Sequence, residues 1–169
     1  MQILIFLIMN IIVPPSTSLQ IDFGKEKDGQ DWRIVDDGVM GGLSKGYLDF
    51  TENTVTFKGS VSLENNGGFT SFRSPYQSFD LSAYEKIIIR LKAEGQQLAF
   101  TMSTDRRWYL PYFKKQIEVK NNEWEVIELP LNEFKAYRVG QNLGYPLDKE
   151  NAAKVIRMGF ITDSKKASS

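Results

Sequence analysis

The sequence predicts an all-β fold, a two-sheet jelly-roll sandwich, on three observations. Apolar and polar residues alternate with period two along most of the chain beyond residue 18, the pattern of half-buried antiparallel strands. Turn-forming residues punctuate these stretches about every 8–12 positions, which yields roughly nine to eleven short strands. Only one short segment reads as helix, and a two-sheet jelly roll suits a chain of this length.

Ile21 and Phe23 make a short first strand closed by Gly24, and Trp32-Arg33-Ile34-Val35 make another. Across residues 54–63, Val55, Phe57, Val61 and Leu63 share one face, while Thr54, Thr56, Lys58, Ser60 and Ser62 share the other. The turn Asn65-Asn66-Gly67-Gly68, whose composition suits positive φ, leads into a strand over 69–72. Ile87, Ile89, Leu91 and Ala93 alternate with Ile88, Arg90 and Lys92. The apolar Ile88 on the outer side predicts burial on both faces, as in a central strand. Leu98, Phe100 and Met102 resume the alternation after a Glu94-Gly95 turn. Residues 108–113 are aromatic but carry Pro111, which assigns them to an edge strand or extended loop. Ile117 and Val119 form a short strand, and Asn121-Asn122 turn into Trp124-Glu125-Val126-Ile127-Glu128-Leu129. Residues 130–147 predict a long loop over one end, with Leu131 and Phe134 packed inward. Asp148 is placed to N-cap a helix of two turns at most, ending at Lys154. Strand character returns over 157–161.

A chain of 169 residues, 41% of them hydrophobic, can build one domain with a proper core. Its net charge is zero, so the basic surplus of a generic nucleic-acid binder is missing and no nucleic-acid partner is expected. There is no cysteine, which excludes disulfides, thiolate catalysis and Cys-based zinc sites. Histidine is absent too, removing the commonest general base and metal ligand. No cofactor, no metal and no enzymatic activity are expected.

Residues 3–13 form an apolar run broken only by Asn10 and followed by Pro14-Pro15-Ser16-Thr17-Ser18. An apolar stretch of about 7–15 residues ending in small residues matches a secretory signal peptide better than a membrane span. The expected division is therefore a cleaved leader over 1–18 and one domain over 19–169, secreted or periplasmic, with no stable membrane span after cleavage. The leader has no Lys or Arg, so a retained anchor and a buried hydrophobic arm stand as alternatives.

Two long motifs bring a family into view. The first is Trp32-x-Ile34-Val35-Asp36-Asp37-Gly38-Val39-Met40-Gly41-Gly42-Leu43-Ser44. The second is Gly59-x-Val61-Ser62-Leu63-Glu64-Asn65-Asn66-Gly67-Gly68-Phe69-x-Ser71-x-Arg73. With Asp80-Leu81-Ser82, the Trp124 strand ahead of Phe134 and the 156–163 segment before Lys165-Lys166, the chain resembles the CIA30 family, named for complex I intermediate-associated protein 30. The resemblance implies a galactose-binding-domain-like jelly roll. It also implies a protein-contact role, because mitochondrial members act as assembly chaperones for respiratory complex I. The family has no established catalytic residues to carry over. Its members continue past the Lys-Lys pair with a Gly-Pro-Phe turn and a last strand, whereas this sequence ends Ala167-Ser168-Ser169. The end is either natural, leaving a sheet without an edge strand, or truncated.

Asp36 and Asp37 are sequence neighbours, so in extended backbone they face opposite ways and cannot serve as a paired acid and base. Their expected role is to accept hydrogen bonds from the glycine-rich backbone or from Arg73, with sugar or cation contact as the alternative. No helix follows Gly38, Gly41 and Gly42, so they make no phosphate loop. Positive φ or close backbone approach is the expected reason for them, and for Asn66, Gly67 and Gly68. Arg73 is expected half-buried against a carboxylate or loop carbonyls, or else against an anionic or hydroxyl-rich ligand. Arg106, Arg107, Trp108 and Tyr109, beside Asp105, form the best candidate contact surface, since the same residue types serve sugar stacking and protein interfaces. The expected function is a non-enzymatic binding module contacting a protein partner, with carbohydrate binding as the alternative.

Overall fold

The computed structural model describes residues 18–66, 68–94, 98–120 and 122–163. Residues 1–17 of the expected leader, Gly67, residues 95–97, Asn121 and the chain end from residue 164 lie outside the described residues. Eleven strands and one short helix follow in chain order: β1 (Arg33–Asp36), β2 (Lys45–Phe50), β3 (Val55–Ser60), β4 (Phe69–Arg73), β5 (Lys86–Leu91), β6 (Leu98–Ser103), β7 (Tyr112–Ile117), β8 (Glu125–Pro130), β9 (Lys135–Arg138), β10 (Gln141–Pro146), α1 (Lys149–Ala152) and β11 (Arg157–Asp163).

Seven strands form one antiparallel sheet in the order β1-β4-β11-β6-β7-β9-β10. Two separate two-stranded ribbons, β2-β3 and β5-β8, supply the second layer. Between the layers lie Trp32, Phe72, Phe100, Met102, Phe113, Leu129 and Phe134, all nearly inaccessible. At about 1.5–3 kcal/mol for each large apolar side chain, this burial is the main force holding the layers together. Period two decides who enters the core: Phe72 on β4, Phe160 on β11 and Phe100 on β6 stand side by side in one cross-strand row, with Phe100 and Phe160 edge-to-face at 5.1 Å. Phe160, between Phe72 and Phe100, is half-buried.

Several expectations need correction. Residues 18–23 form no strand, yet Phe23 still packs edge-on against Trp32 at 5.0 Å. β2 was not anticipated, because its alternation in Lys45–Phe50 follows directly on the glycine-rich loop. Ile88 is 58% exposed and β5 pairs with β8 in a ribbon, so burial on both faces does not hold. Pro111 ends a loop, and β7 begins at the next residue as an interior strand between β6 and β9. The supposed long loop over 130–147 contains the hairpin β9-β10. Its turn is Val139-Gly140, both at positive φ (48° and 81°), the geometry favoured by right-twisted hairpins. The helix is where it was placed: the Asp148 carboxylate accepts from the Asn151 N–H at 2.8 Å.

Candidate ligand-binding face

The acidic pair is structural. Asp37 is 1% exposed, at the start of the 3-10 turn Asp37–Met40. Its Oδ1 accepts from the Ser44 N–H at 2.9 Å, and its Oδ2 from the Ser44 hydroxyl at 2.5 Å, the Gly68 N–H at 2.6 Å and the Phe69 N–H at 3.2 Å. Burial pushes this carboxyl up, but the Ser44 hydroxyl and the Gly68, Phe69 and Ser44 N–H groups outweigh it and hold the group below the usual carboxylate range. Asp37 thus ties the first sequence motif to the second. Asp36 accepts from the Gly46 N–H at 2.9 Å and from the Thr70 hydroxyl. Neither aspartate meets Arg73.

The glycines divide. Gly41 takes φ +86°, and a Cβ on Gly42 would lie 2.3 Å from the Asp37 carboxyl carbon. Gly38 meets neither condition, and nothing in the structure requires glycine there. In the second turn, among the described residues, Gly68 has φ +133° and Asn65 has φ +53°, while Asn66 has no positive φ.

The outer face of the seven-stranded sheet, turned away from the ribbons, is polar and ordered in rows by the strand register. One row runs Arg157, Ser103, Tyr112, Tyr137, Asn142 across β11, β6, β7, β9 and β10. The next runs Arg33, Arg73, Gly159, Thr101, Lys114, Lys135 from β1 to β9. A third holds Val35, Ser71, Ile161, Ala99 and Gln116. Small residues make the floor, with Ser71, Ala99 and Thr101 buried. Arg73, Arg157, Tyr112 and Tyr137 remain partly open around it. The Tyr112 and Tyr137 rings stack at 6.1 Å, and the Lys114 ammonium sits 4.4 Å from the Tyr137 centroid.

Arg73 is half-buried as expected, but its partners are neutral. Its Nε donates to the Ser71 hydroxyl at 2.8 Å, and its guanidinium lies over the Phe69 ring at 5.9 Å. Burial first, then the charge of Arg157, lowers its pKa to about 10. Arg157 donates to the Ser74 carbonyl and to the Tyr76 hydroxyl, each at 3.0 Å. The Tyr76 ring lies between two guanidiniums, Arg157 at 4.4 Å and Arg106 at 4.9 Å. Arg106, on the loop joining β6 to β7, therefore meets Arg157 at the Tyr76 ring, and the charge of Arg157 in turn reaches Arg73, at one end of the face.

Arg107 does not join them. Its side chain grips Asp105 with two bonds, 2.9 and 2.7 Å, which hold Asp105 well below and Arg107 well above their ordinary values. Trp108 and Tyr109 follow on the same loop, edge-to-face at 6.0 Å and 67% and 49% exposed. A cavity of about 280 Å³ between this loop, Tyr145, Asn151 and Lys154 lies outside the rows. Tyr76, Lys114, Tyr137 and Arg157 were not singled out in the sequence, whereas Tyr112 belongs to the aromatic run from Trp108 that motivates the carbohydrate alternative. For all but Tyr76 the signal was alternation with the core residues Phe113, Ala136 and Met158. Among the described residues, no group of three or more His, Cys, Asp or Glu side chains is placed to hold a metal.

The profile of the Complex I intermediate-associated protein 30 (CIA30) family matches residues 21–169. The chain belongs to the CIA30 family. No curated relative matches this CIA30 chain. Among solved structures, its fold is similar to the family 11 carbohydrate-binding module of the cellulosomal cellulase Lic26A-Cel5E of Clostridium thermocellum. The TM-score is 0.63 at 16% identity, over 87% of this chain and 86% of that one. This likeness is one of fold, and with it the expected galactose-binding-domain-like jelly roll stands for this CIA30 domain.

Proposed function

We propose that this CIA30 domain is a non-catalytic binding module working outside the cytoplasm, and that its ligand is a glycan lying across the polar face of the seven-stranded sheet. The observation that carries this reading is the stacked pair Tyr112 and Tyr137, set among Ser103, Asn142 and Arg157 in one row. A phenol ring offers an apolar plate to the CH face of a sugar, while hydroxyl, amide and guanidinium groups read its hydroxyls. The fold of a carbohydrate-binding module is consistent with that use. No helix among the described residues is long and apolar enough to cross a membrane.

Affinity electrophoresis in gels containing soluble polysaccharides tests the proposal. The wild-type domain is expected to be retarded by at least one glycan, and Tyr137→Ala to migrate freely while still unfolding in one cooperative thermal transition. Unretarded migration across neutral and acidic polysaccharides would refute it.

A second reading, protein contact in an assembly role, is favoured by the outer face of the β5-β8 ribbon. There Ile88, Trp124 and Val126 are 58%, 52% and 64% exposed, and Arg90 lies 4.7 Å over the Trp124 ring. Trp and Arg are the residue types enriched at interface centres. A co-purifying protein lost in Trp124→Ala, with glycan binding absent throughout, would move the conclusion to this reading.

A further inference from the structure

The chain carries equal numbers of acidic and basic residues, yet the outer sheet face does not share that balance. Across the three rows described above, five positions are cationic and none is acidic, though one of the five, Arg33, reaches Asp31 at 3.6 Å. Asp163, at the far end of β11 opposite Phe69, stands two rows away from Arg73. Strand pairing sets Arg33 directly opposite Arg73, and Lys114 directly opposite Lys135. Like charges in such cross-strand positions destabilise a sheet.

The crowding is tightest at the loop end. The partners of Arg73, Arg106 and Arg157 are a hydroxyl, a carbonyl and aromatic rings: Ser71, Ser74, Tyr76 and Phe69. None of the three forms an ion pair among the described residues. Elsewhere the same chain pairs its cations freely, as in Lys86 with Glu128 and Arg107 with Asp105. A Cβ at Gly159 would lie 2.8 Å from the Arg73 Cγ, so the stem of Arg73 is laid down across the floor. Hydroxyls, a carbonyl and rings hold Arg73 and Arg157, and the Tyr76 ring alone holds Arg106, none of them neutralising the charge. An arginine fork held in this way is preorganised for a carboxylate.

We infer that this end of the face reads the charge of its ligand, and that Arg73, Arg106 and Arg157 bind the carboxylates of an acidic glycan rich in uronic acid. The inference rests on the glycan reading above and narrows it. The tyrosine row supplies the plates for the sugar rings, and the arginines at its β11 end supply selection for acid groups. Lys135, exposed at the β9 end of the neighbouring row, extends the positive strip, so a ligand with repeated acid groups gains over a single uronate. Adjacent strands lie about 4.8 Å apart, which puts the backbones of Arg73 and Lys135 about 19 Å apart, four strands across.

The test compares polygalacturonate with neutral mixed-linkage β-glucan by calorimetry on the wild-type domain and on Arg106→Gln, Arg73→Gln and Lys135→Gln, at low and moderate salt. Polygalacturonate is expected to bind at least about tenfold more tightly than the neutral polymer, equivalent to 1.4 kcal/mol. That advantage should shrink with salt. Arg106→Gln and Arg73→Gln are expected to lose most of it, read as the ratio of the two affinities for each variant. Arg106 is exposed, so its variant keeps the fold. Arg73→Gln should melt no lower than wild type, since it removes a desolvated cation beside another one. Equal affinity for both polymers would overturn the inference and leave the glycan reading standing. Binding to neither would remove both, and equally tight binding to heparin and duplex DNA would replace selection of an acidic sugar by plain polyanion attraction.

Discussion

Replacing Asp37 with Asn is the sharpest test of what the CIA30 motif does. The substitution keeps the shape and one carbonyl oxygen but puts an amide NH2 where Oδ2 now accepts from Gly68 and Phe69. If the retained oxygen stays on Ser44, the buried Gly68 N–H and the part-buried Phe69 N–H lose their acceptor and face another donor. Hydrogen bonds to a charged group are worth about 1.5–3 kcal/mol each, and a donor stranded in the interior carries its desolvation cost. A loss of about 3 kcal/mol follows, and in a domain of this size that lowers the melting temperature by about 6–12 °C. The pH dependence gives a second check. The folded-state pKa of Asp37 lies below its ordinary value, so its stabilisation is complete above the unfolded pKa of about 3.9 and is lost as pH falls through the folded pKa. Urea unfolding of both proteins between neutral pH and pH 2 should show a gap that is constant at neutral pH and closes on the acid side. A gap under about 0.5 kcal/mol at pH 7, or one that persists unchanged at pH 2, would refute the assignment of Asp37 as the clamp between the two motifs.

Two further substitutions bear on the same architecture. Gly42→Ala places a methyl group against the Asp37 carboxyl and should cost about 1–3 kcal/mol, read as a fall in urea midpoint, whereas Gly38→Ala, with open space around it, should leave the midpoint unchanged. Asp148→Ala removes the cap on α1 and should lower stability by about 1 kcal/mol in thermal denaturation, with no effect on glycan binding.

The layers of the fold were legible where alternation was clean. Val55 and Phe57, Ile87 and Ile89, Leu98 and Phe100 each announced a strand with a core face, and each lies in one. What escaped were elements whose alternation is short or hidden by turn residues. β2 begins inside a stretch that reads as loop because Gly46 sits within it, and β9-β10 turns through Val139-Gly140, where a β-branched residue takes a positive φ that its type disfavours. Ile88 misled for a different reason. An apolar residue at an outward position signals a second covering layer only if one exists, and on the ribbon it belongs instead to an exposed patch with Trp124 and Val126.

The site was harder to see than the fold because a sheet assembles its surface across strands, not along them. Asp36 and Asp37 drew notice by standing together in sequence. Adjacency in a strand, however, only sends two side chains to opposite faces, and theirs went to different backbone partners. Arg73 and Arg157 are 84 positions apart by number and were related by nothing in the sequence. The pairing of Gly159 with both Arg73 and Thr101 is what sets them on the same face of adjacent strands. Tyr112 and Tyr137 meet through β7-β9 pairing, between strands that β8 separates in the chain. Register is a long-range property, decided by which apolar faces must be buried together. A single sequence therefore displays the residues of such a face only as the discarded half of each alternating strand: Tyr112 and Lys114 around Phe113, Arg157 and Gly159 around Met158. Half-buried arginines such as Arg73 and Arg157, held among the described residues by rings and hydroxyls instead of carboxylates, are the feature that separates this face from an ordinary solvated one.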